Sequence, residues 1–261
     1  MDSSVLEYFD IFLLVFARMG GMIFINPVFA RKGVPLMVRT GLALALSLLI
    51  APAARAGGQA VVLYSTFDMA EALARELILG LGIGCVFQIF FYMLYVAGDL
   101  LDTAFGLAMG KVMDPMNGVQ TAILGQFVNI FFFLYFFATG CHLLTVRLFA
   151  YTYEVIPVGA GVFFGRNVLW YIITMSATVF LMVIKLALPF VAAEFVLEMT
   201  MGVLMKLIPQ IHVFVINIQC KILLGILLII LFAYPMGAFM DGYADAMMRE
   251  AQNIIMMLGR A

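Results

Sequence analysis

This chain has little charge. Aspartate, glutamate, lysine and arginine together make up 11% of its 261 residues, against roughly 25% in an ordinary soluble domain. The net charge of −1 argues against nucleic acid and against polybasic attachment to lipid. Only three cysteines are present, Cys85, Cys141 and Cys220, each inside an apolar run and none in a CxxC pair. A disulfide framework and a cysteine metal site are therefore disfavoured, and buried, inert thiols are expected. The two histidines, His142 and His212, fall in different runs and belong to no HExxH or other paired ligand spacing. GxSxG and GxxxxGK[ST] are missing as well. Gly82-Ile83-Gly84 lacks the aspartate an intramembrane aspartyl protease would place after its GxG. Asp99 and Asp102 stand one helical turn apart and read as helix-end carboxylates. No enzymatic activity and no cofactor are expected.

Long apolar runs take the place of charge. Leu77–Gly98, Val119–Val146 and Ile222–Met240 contain no charged residue. Each is close to or beyond the ~20 residues with which an α-helix crosses a ~30 Å hydrocarbon layer. With 66% hydrophobic residues, the chain reads as a polytopic, all-α membrane protein of about six long helices or helical hairpins. Its acidic start (Asp2, Glu7, Asp10), with Arg18 in the first apolar run, does not fit a cleaved leader.

A first segment runs from about Val5 to Ile25 and ends at Asn26-Pro27, because proline disfavours the α conformation of the residue before it. A second covers Leu36–Pro52. A partly amphipathic helix around Ser65–Arg75 precedes Leu77–Gly98, and Val119–Val146 follows as a fourth run. The fifth is Val168–Ile184, continued past Lys185 to Ala193. Glu194–Gln210 is mixed. Ile211–Met240 is the last long run, interrupted by Lys221. In the tail 241–261, Ala244, Met247, Met248, Ala251, Ile254, Ile255 and Leu258 share one helical face. The positive charges do not gather in alternate loops as membrane topology usually demands. That is either a weak signal in a small sample or a sign that these helices are not all simple serpentine spans.

Ionisable groups within apolar segments face protein or water rather than lipid. Arg18, Arg39, Lys185, Glu194 and Lys221 are of this kind. They are few and scattered, which favours structural pairing between helices or subunits over an ion or proton pathway. Gly80, Gly82 and Gly84, and the Gly106/Gly110 pair, have the spacing of close helix packing. The 20 methionines are mostly core filling, and their flexibility also suits a deformable seal. The stretch from Asp102 to Gln120 is still apolar, yet Gly106, Gly110, Pro115 and Gly118 weaken helix, and Asp114-Pro115 marks a turn. An external loop would be more polar. A re-entrant or pore-lining loop, about 103–120, is the preferred reading.

On these residues the chain resembles the FliR family, the R-type subunit of the flagellar type III protein export gate, and its T-type relatives in virulence secretion. Arg18, Pro27, Val34-Pro35 and Arg39 are similar to the family's opening. Glu76, Gly80, Gly84, Gly98-Asp99 and Asp102 are similar to its middle. Gly106 to Asp114-Pro115 matches its central signature, and Leu188-Pro189-Phe190, Pro209-Gln210, Phe214 and Lys221 its C-terminal one. Asn217 and Gln219 stand where Gly and Pro are expected before the lysine.

The resemblance implies a single export-gate domain over 1–261, like a P-type and a Q-type subunit fused, within a closed helical hetero-oligomer of the basal body in the bacterial inner membrane. Its implied partners are the P-type and Q-type membrane subunits FliP and FliQ, the switch subunit FlhB, the large subunit FlhA, unfolded flagellar substrates and membrane lipid. It also implies that the loop plugs the channel. Phe105, Leu107, Met109, Val112, Met113 and Met116 would close it by dewetting, Gly106 and Gly110 would let it move, and Asp114-Pro115 would shape the turn. Arg18, Arg39, Glu76, Asp102, Lys185, Glu194 and Lys221 would be structural or inter-subunit charges. The virulence counterpart is the nearest alternative. A small-solute transporter is more distant, because only one helix break, near Gly106, stands out.

Overall fold

The structure is a computed structural model that describes residues 3–31, 33–57, 66–106, 122–160, 165–208 and 213–259. Among these the chain forms eight α-helices and no strand: α1 (Ser3–Ile25), α2 (Leu36–Gly57), α3 (Thr66–Ala104), α4 (Ile123–Ala138), α5 (Cys141–Val155), α6 (Arg166–Leu207), α7 (Val213–Leu231) and α8 (Ala233–Leu258). Four of them, α1, α2, α3 and α6, are long and apolar enough to cross a membrane. The bent pairs α4–α5 and α7–α8 raise the number to six if each pair is one span.

The helix ends follow local chemistry. α1 stops at Ile25, where the Asn26 side chain accepts the Val28 N–H at 2.9 Å and the Asn26 carbonyl takes the Phe29 and Ala30 N–H groups. This side-chain-closed turn is one that asparagine before proline favours. The apolar run Val119–Val146 is not one helix. It breaks at Thr139-Gly140, where Gly140 has φ 75°. Only glycine adopts that backbone without steric cost. The run Ile211–Met240 likewise breaks at Phe232, with a bend of 64°. Pro235 has no N–H to continue the helix back to Leu231, but fits the first turn of a new one.

Other boundaries dissolve. α2 runs through Pro52 to Gly57 rather than ending at the proline. The amphipathic segment before Leu77 and the apolar run after it are one 39-residue helix, and α6 passes Lys185 and Pro189 without ending for 42 residues. At ~1.5 Å per residue these two helices measure about 58 and 63 Å, twice the ~30 Å that lipid hydrocarbon covers. They are not simple spans.

The chain divides into two compact units. One comprises Met1–Phe90, Thr139–Ser176 and Ala246–Ala261, and the other Phe91–Ala138 and Ala177–Asp245. In the first unit α1 packs along α2, and α2 also meets α5. In the second, Phe91, Phe132, Phe136 and Tyr243 make an edge-to-face aromatic core. Along α8 the expected apolar face is buried at Ala244, Met247, Ala251, Ile254, Ile255 and Leu258, with Met248 half-buried.

Candidate functional site: a buried ion pair and a clamped loop

In the first unit, Arg18 on α1 is fully buried and meets Glu76 on α3. Its Nε lies 2.5 Å from Oε2 and its Nη2 3.0 Å from Oε1. This is the bidentate fork that makes arginine–carboxylate pairs specific. The remaining donors go to carbonyls at the end of α5 and just beyond it. Nη1 reaches Thr152 and Ile156 at 3.2 and 2.8 Å, and Nη2 reaches Pro157 at 3.3 Å. All five N–H groups of the guanidinium are thus spent, and its charge sits at a helix C-terminus, where cations are favoured. The Tyr153 ring lies 4.6 Å from the guanidinium carbon, and its hydroxyl donates to the Val15 carbonyl. Glu76 Oε1 also accepts the Gly159 N–H at 2.8 Å.

Glycines make this pair possible. A Cβ on Gly80 would overlap the Arg18 carbonyl, and one on Gly21 would lie 2.6 Å from the Leu77 carbonyl. One on Gly84 would strike Ile25. The helices α1 and α3 therefore touch backbone to backbone, as small residues allow. Arg18, Glu76, Gly80 and Gly84 come together in one contact.

The second unit holds the stems of the loop. Gly98 on α3 abuts Gly125 on α4 so closely that a Cβ at Gly98 would overlap the Gly125 backbone. Tyr95 Oη accepts the Ala122 N–H at 3.0 Å, and Asp102 Oδ1 accepts the Leu124 N–H at 2.9 Å. Asp102 is fully buried. It serves α4 as a capping group supplied from another helix, satisfying an N–H that has no intrahelical partner. Its Oδ2 has no partner among the described residues. Both stems of the segment 107–121 are thereby clamped.

Phe105 and Gly106 form the near stem. Phe105 is 1% exposed and stacks edge-on to Phe190 of α6 with centroids 6.2 Å apart. Its ring covers Gly225 of α7 so closely that a Cβ there would lie 3.0–3.2 Å from ring carbons. Gly106 has φ 70°, a left-handed turn off the helix end that glycine adopts without strain. The position a Gly106 Cβ would take is 3.7 Å from the Lys221 stem. Lys221 Nζ in turn bridges Glu194 Oε1 at 2.7 Å and Glu198 Oε2 at 2.5 Å. The rest of the expected plug, Leu107, Met109, Gly110, Val112, Met113, Asp114, Pro115 and Met116, lies outside the described residues.

Of the expected structural charges, Arg18 with Glu76 and Lys221 with Glu194 are paired across helices of this chain, and Asp102 caps a helix. Arg39 donates to the carbonyls of Val34 and Arg31, closing the turn before its own helix. Lys185 is exposed and makes no ion pair among the described residues. Glu198, Gly225, Tyr95 and Tyr153 are participants that the sequence reading did not single out. Glu198 carried one usable signal, since it stands one turn beyond Glu194 on the same helix face. Among the described residues, no group of three His, Cys, Asp or Glu is placed to hold a metal ion.

The backbone contacts at Gly80, Gly84 and Gly98 and the pairing of Arg18 with Glu76 fall on residues that carry the resemblance, and comparison decides the family. Residues 9–247 match the family described as bacterial export proteins, family 1. The chain belongs to this family. It is 24% identical to the flagellar biosynthetic protein FliR of Bacillus subtilis (strain 168), over 98% of this chain and 99% of that one. It is 25% identical to FliR of Escherichia coli (strain K12), over 85% and 83%. It is also 25% identical to the surface presentation of antigens protein SpaR of Shigella flexneri, over 87% and 88%. As a bacterial export protein of family 1, the chain combines apolar helices of membrane length with two charge clusters tied to glycine contacts.

Proposed function

We propose that this chain is a structural and gating subunit of the flagellar type III protein export channel, in the inner membrane at the flagellar basal body. It helps form and plug the pore through which unfolded flagellar proteins leave. Membership of the export family and full-length similarity to flagellar FliR support this reading. The observation that carries the gating role is the clamp. Gly98 against Gly125, Tyr95 on Ala122 and Asp102 on Leu124 hold the two stems of 107–121 together. The intervening sequence is glycine-punctuated and apolar. Such a segment can close a constriction by dewetting and give way to a passing chain.

In this reading all 261 residues form one export-gate domain, to which both compact units belong. Phe105 and Gly106 fasten the base of the plug, and Leu107, Met109, Val112, Met113 and Met116 supply the seal. Gly110 is a pivot, and Asp114-Pro115 shapes the tip. The partners are the P-type and Q-type gate subunits, FlhB, FlhA and unfolded substrates. No catalytic step falls to this subunit. The equivalent role in a virulence secretion apparatus is the second reading, favoured by the similarity to SpaR.

The test is affinity purification of the tagged chain from its own host in mild detergent, followed by mass spectrometry. The proposal expects stoichiometric recovery of two small membrane proteins of the P and Q types, whose sequences separate flagellum from injectisome. Recovery of the chain alone or as a homo-oligomer sinks it.

A further inference from the structure

Arg147 stands at the end of the apolar run Val119–Val146 with nothing to answer its charge. It is exposed on α5 and makes no ion pair or hydrogen bond among the described residues. It opens onto a groove of about 400 Å³ between α5 and α8, inside the first unit. That volume is typical of small-molecule sites. From α5 come Leu144, Arg147, Leu148 and Tyr151, whose spacing of three and four residues puts them on one face. From α8 come Met248, Gln252 and Met256, each one turn from the next. The floor is apolar, with Leu148 buried and Met248 half-buried, and the rims at Leu144 and Met256 are apolar and exposed. No aspartate or glutamate lines the groove among the described residues.

A second observation sets the depth at which the groove opens. On the same stretch of α8, Glu250 accepts the Tyr171 hydroxyl proton, and Asn253 donates to the Tyr171 oxygen at 3.0 Å. The first turns of α6 are thereby fastened beside the α8 wall of the groove. There the single tryptophan, Trp170, is 57% exposed, and Arg166 is exposed too. Tyr151, in the groove, is 37% exposed. Tryptophan and tyrosine collect where hydrocarbon meets headgroups. In a chain seated in a bilayer, this level is that of the headgroups.

The groove matches a phospholipid part by part. A guanidinium takes phosphate oxygens in a two-pronged fork. The Gln252 amide and the Tyr151 hydroxyl are further donors. Leucine and methionine walls accept an acyl chain, and methionine adapts to irregular shape. An ammonium headgroup would find Arg147 and no carboxylate to offset it. A partner helix, ~10–12 Å across with its side chains, bridges a groove of this size without filling it.

We infer that the groove between α5 and α8 binds an anionic phospholipid, with its phosphate on Arg147 and an acyl chain along Leu144, Leu148, Met248 and Met256. The inference rests on the membrane location given in the proposed function and not on the export role.

The tagged full-length chain, with any subunits it brings, is purified in mild detergent, stripped of lipid, and offered phosphatidylglycerol or phosphatidylethanolamine in mixed micelles. Native mass spectrometry counts the lipids retained. The unaltered chain should keep phosphatidylglycerol in preference to phosphatidylethanolamine. Arg147→Gln should lower that retention about tenfold, the scale of one charge-assisted contact. Arg147→Lys should lower it less, and Arg166→Gln, an exposed arginine outside the groove, should leave it unchanged. A photo-crosslinking residue at Met256, in the host's membranes, should capture phospholipid. Equal retention of the two lipids, an equal loss in Arg166→Gln, or capture of a partner's peptide at Met256 would each overturn the inference. The same spectra show whether P-type and Q-type subunits are present. Lipid without those subunits sinks the export reading alone, and the subunits without lipid sink this one alone.

Discussion

The two charge clusters differ in how completely they are closed. Around Arg18, one cation meets one carboxylate, every guanidinium N–H is used, and both side chains are 2% exposed or less. Around Lys221, one cation meets two carboxylates, and Glu198 remains half-exposed. A dry, fully satisfied pair cannot loosen without leaving a bare charge in an apolar interior. A wet cluster with surplus negative charge can exchange partners at little cost. The first joins α1, α3 and the end of α5 into a fixed frame. The second stands beside Gly106, at the foot of the segment proposed to move.

The largest effect should come from breaking the closed cluster. Arg18→Ala leaves Glu76 buried without its partner and should cost about 3–5 kcal/mol, read as a loss of thermal stability of the purified complex. The paired change Arg18→Met with Glu76→Leu should cost less than Arg18→Ala. If the double variant is the worse one, the pair is not the staple described.

Phe105→Ala empties the space over Gly225 and against Phe190, and should cost about 3 kcal/mol. It should also speed proteolysis within the segment 107–121, whose near stem it frees. Unchanged cleavage would separate Phe105 from the loop. Asp102→Ala removes the acceptor for the Leu124 N–H and should cost about 1–3 kcal/mol, with faster amide exchange at Leu124 as its local signature. Lys221→Ala should cost about 1 kcal/mol or less, because its pairs are partly open to solvent. A loss as large as that of Arg18→Ala would erase the contrast between the clusters.

Much of this was legible in the residues. Asn26-Pro27 ended a helix where expected, the α8 face was readable from its period, and Arg18 stood out as a cation in an apolar run. What stayed hidden was non-local. Nothing near Arg18 names Glu76, which lies 58 positions away, and no periodicity announces that Phe105 covers Gly225. Helix breaks were misread for a physical reason. Hydropathy does not register backbone dihedrals, so Gly140 passed unnoticed inside an apolar run. Pro52 counts as a breaker by propensity, yet it sits inside α2. The joining of the Ser65–Arg75 segment to the run after it was obscured by a change of composition without a change of conformation.

The central claim is that the segment between the clamped stems seals a pore. The most direct test is the ion leak of membranes carrying assembled complexes in which Phe105–Gly110 is deleted, with assembly verified in the same preparation. The account predicts that complexes still assemble and that their leak is well above that of the unaltered complex. Tight membranes with fully assembled complexes would contradict it.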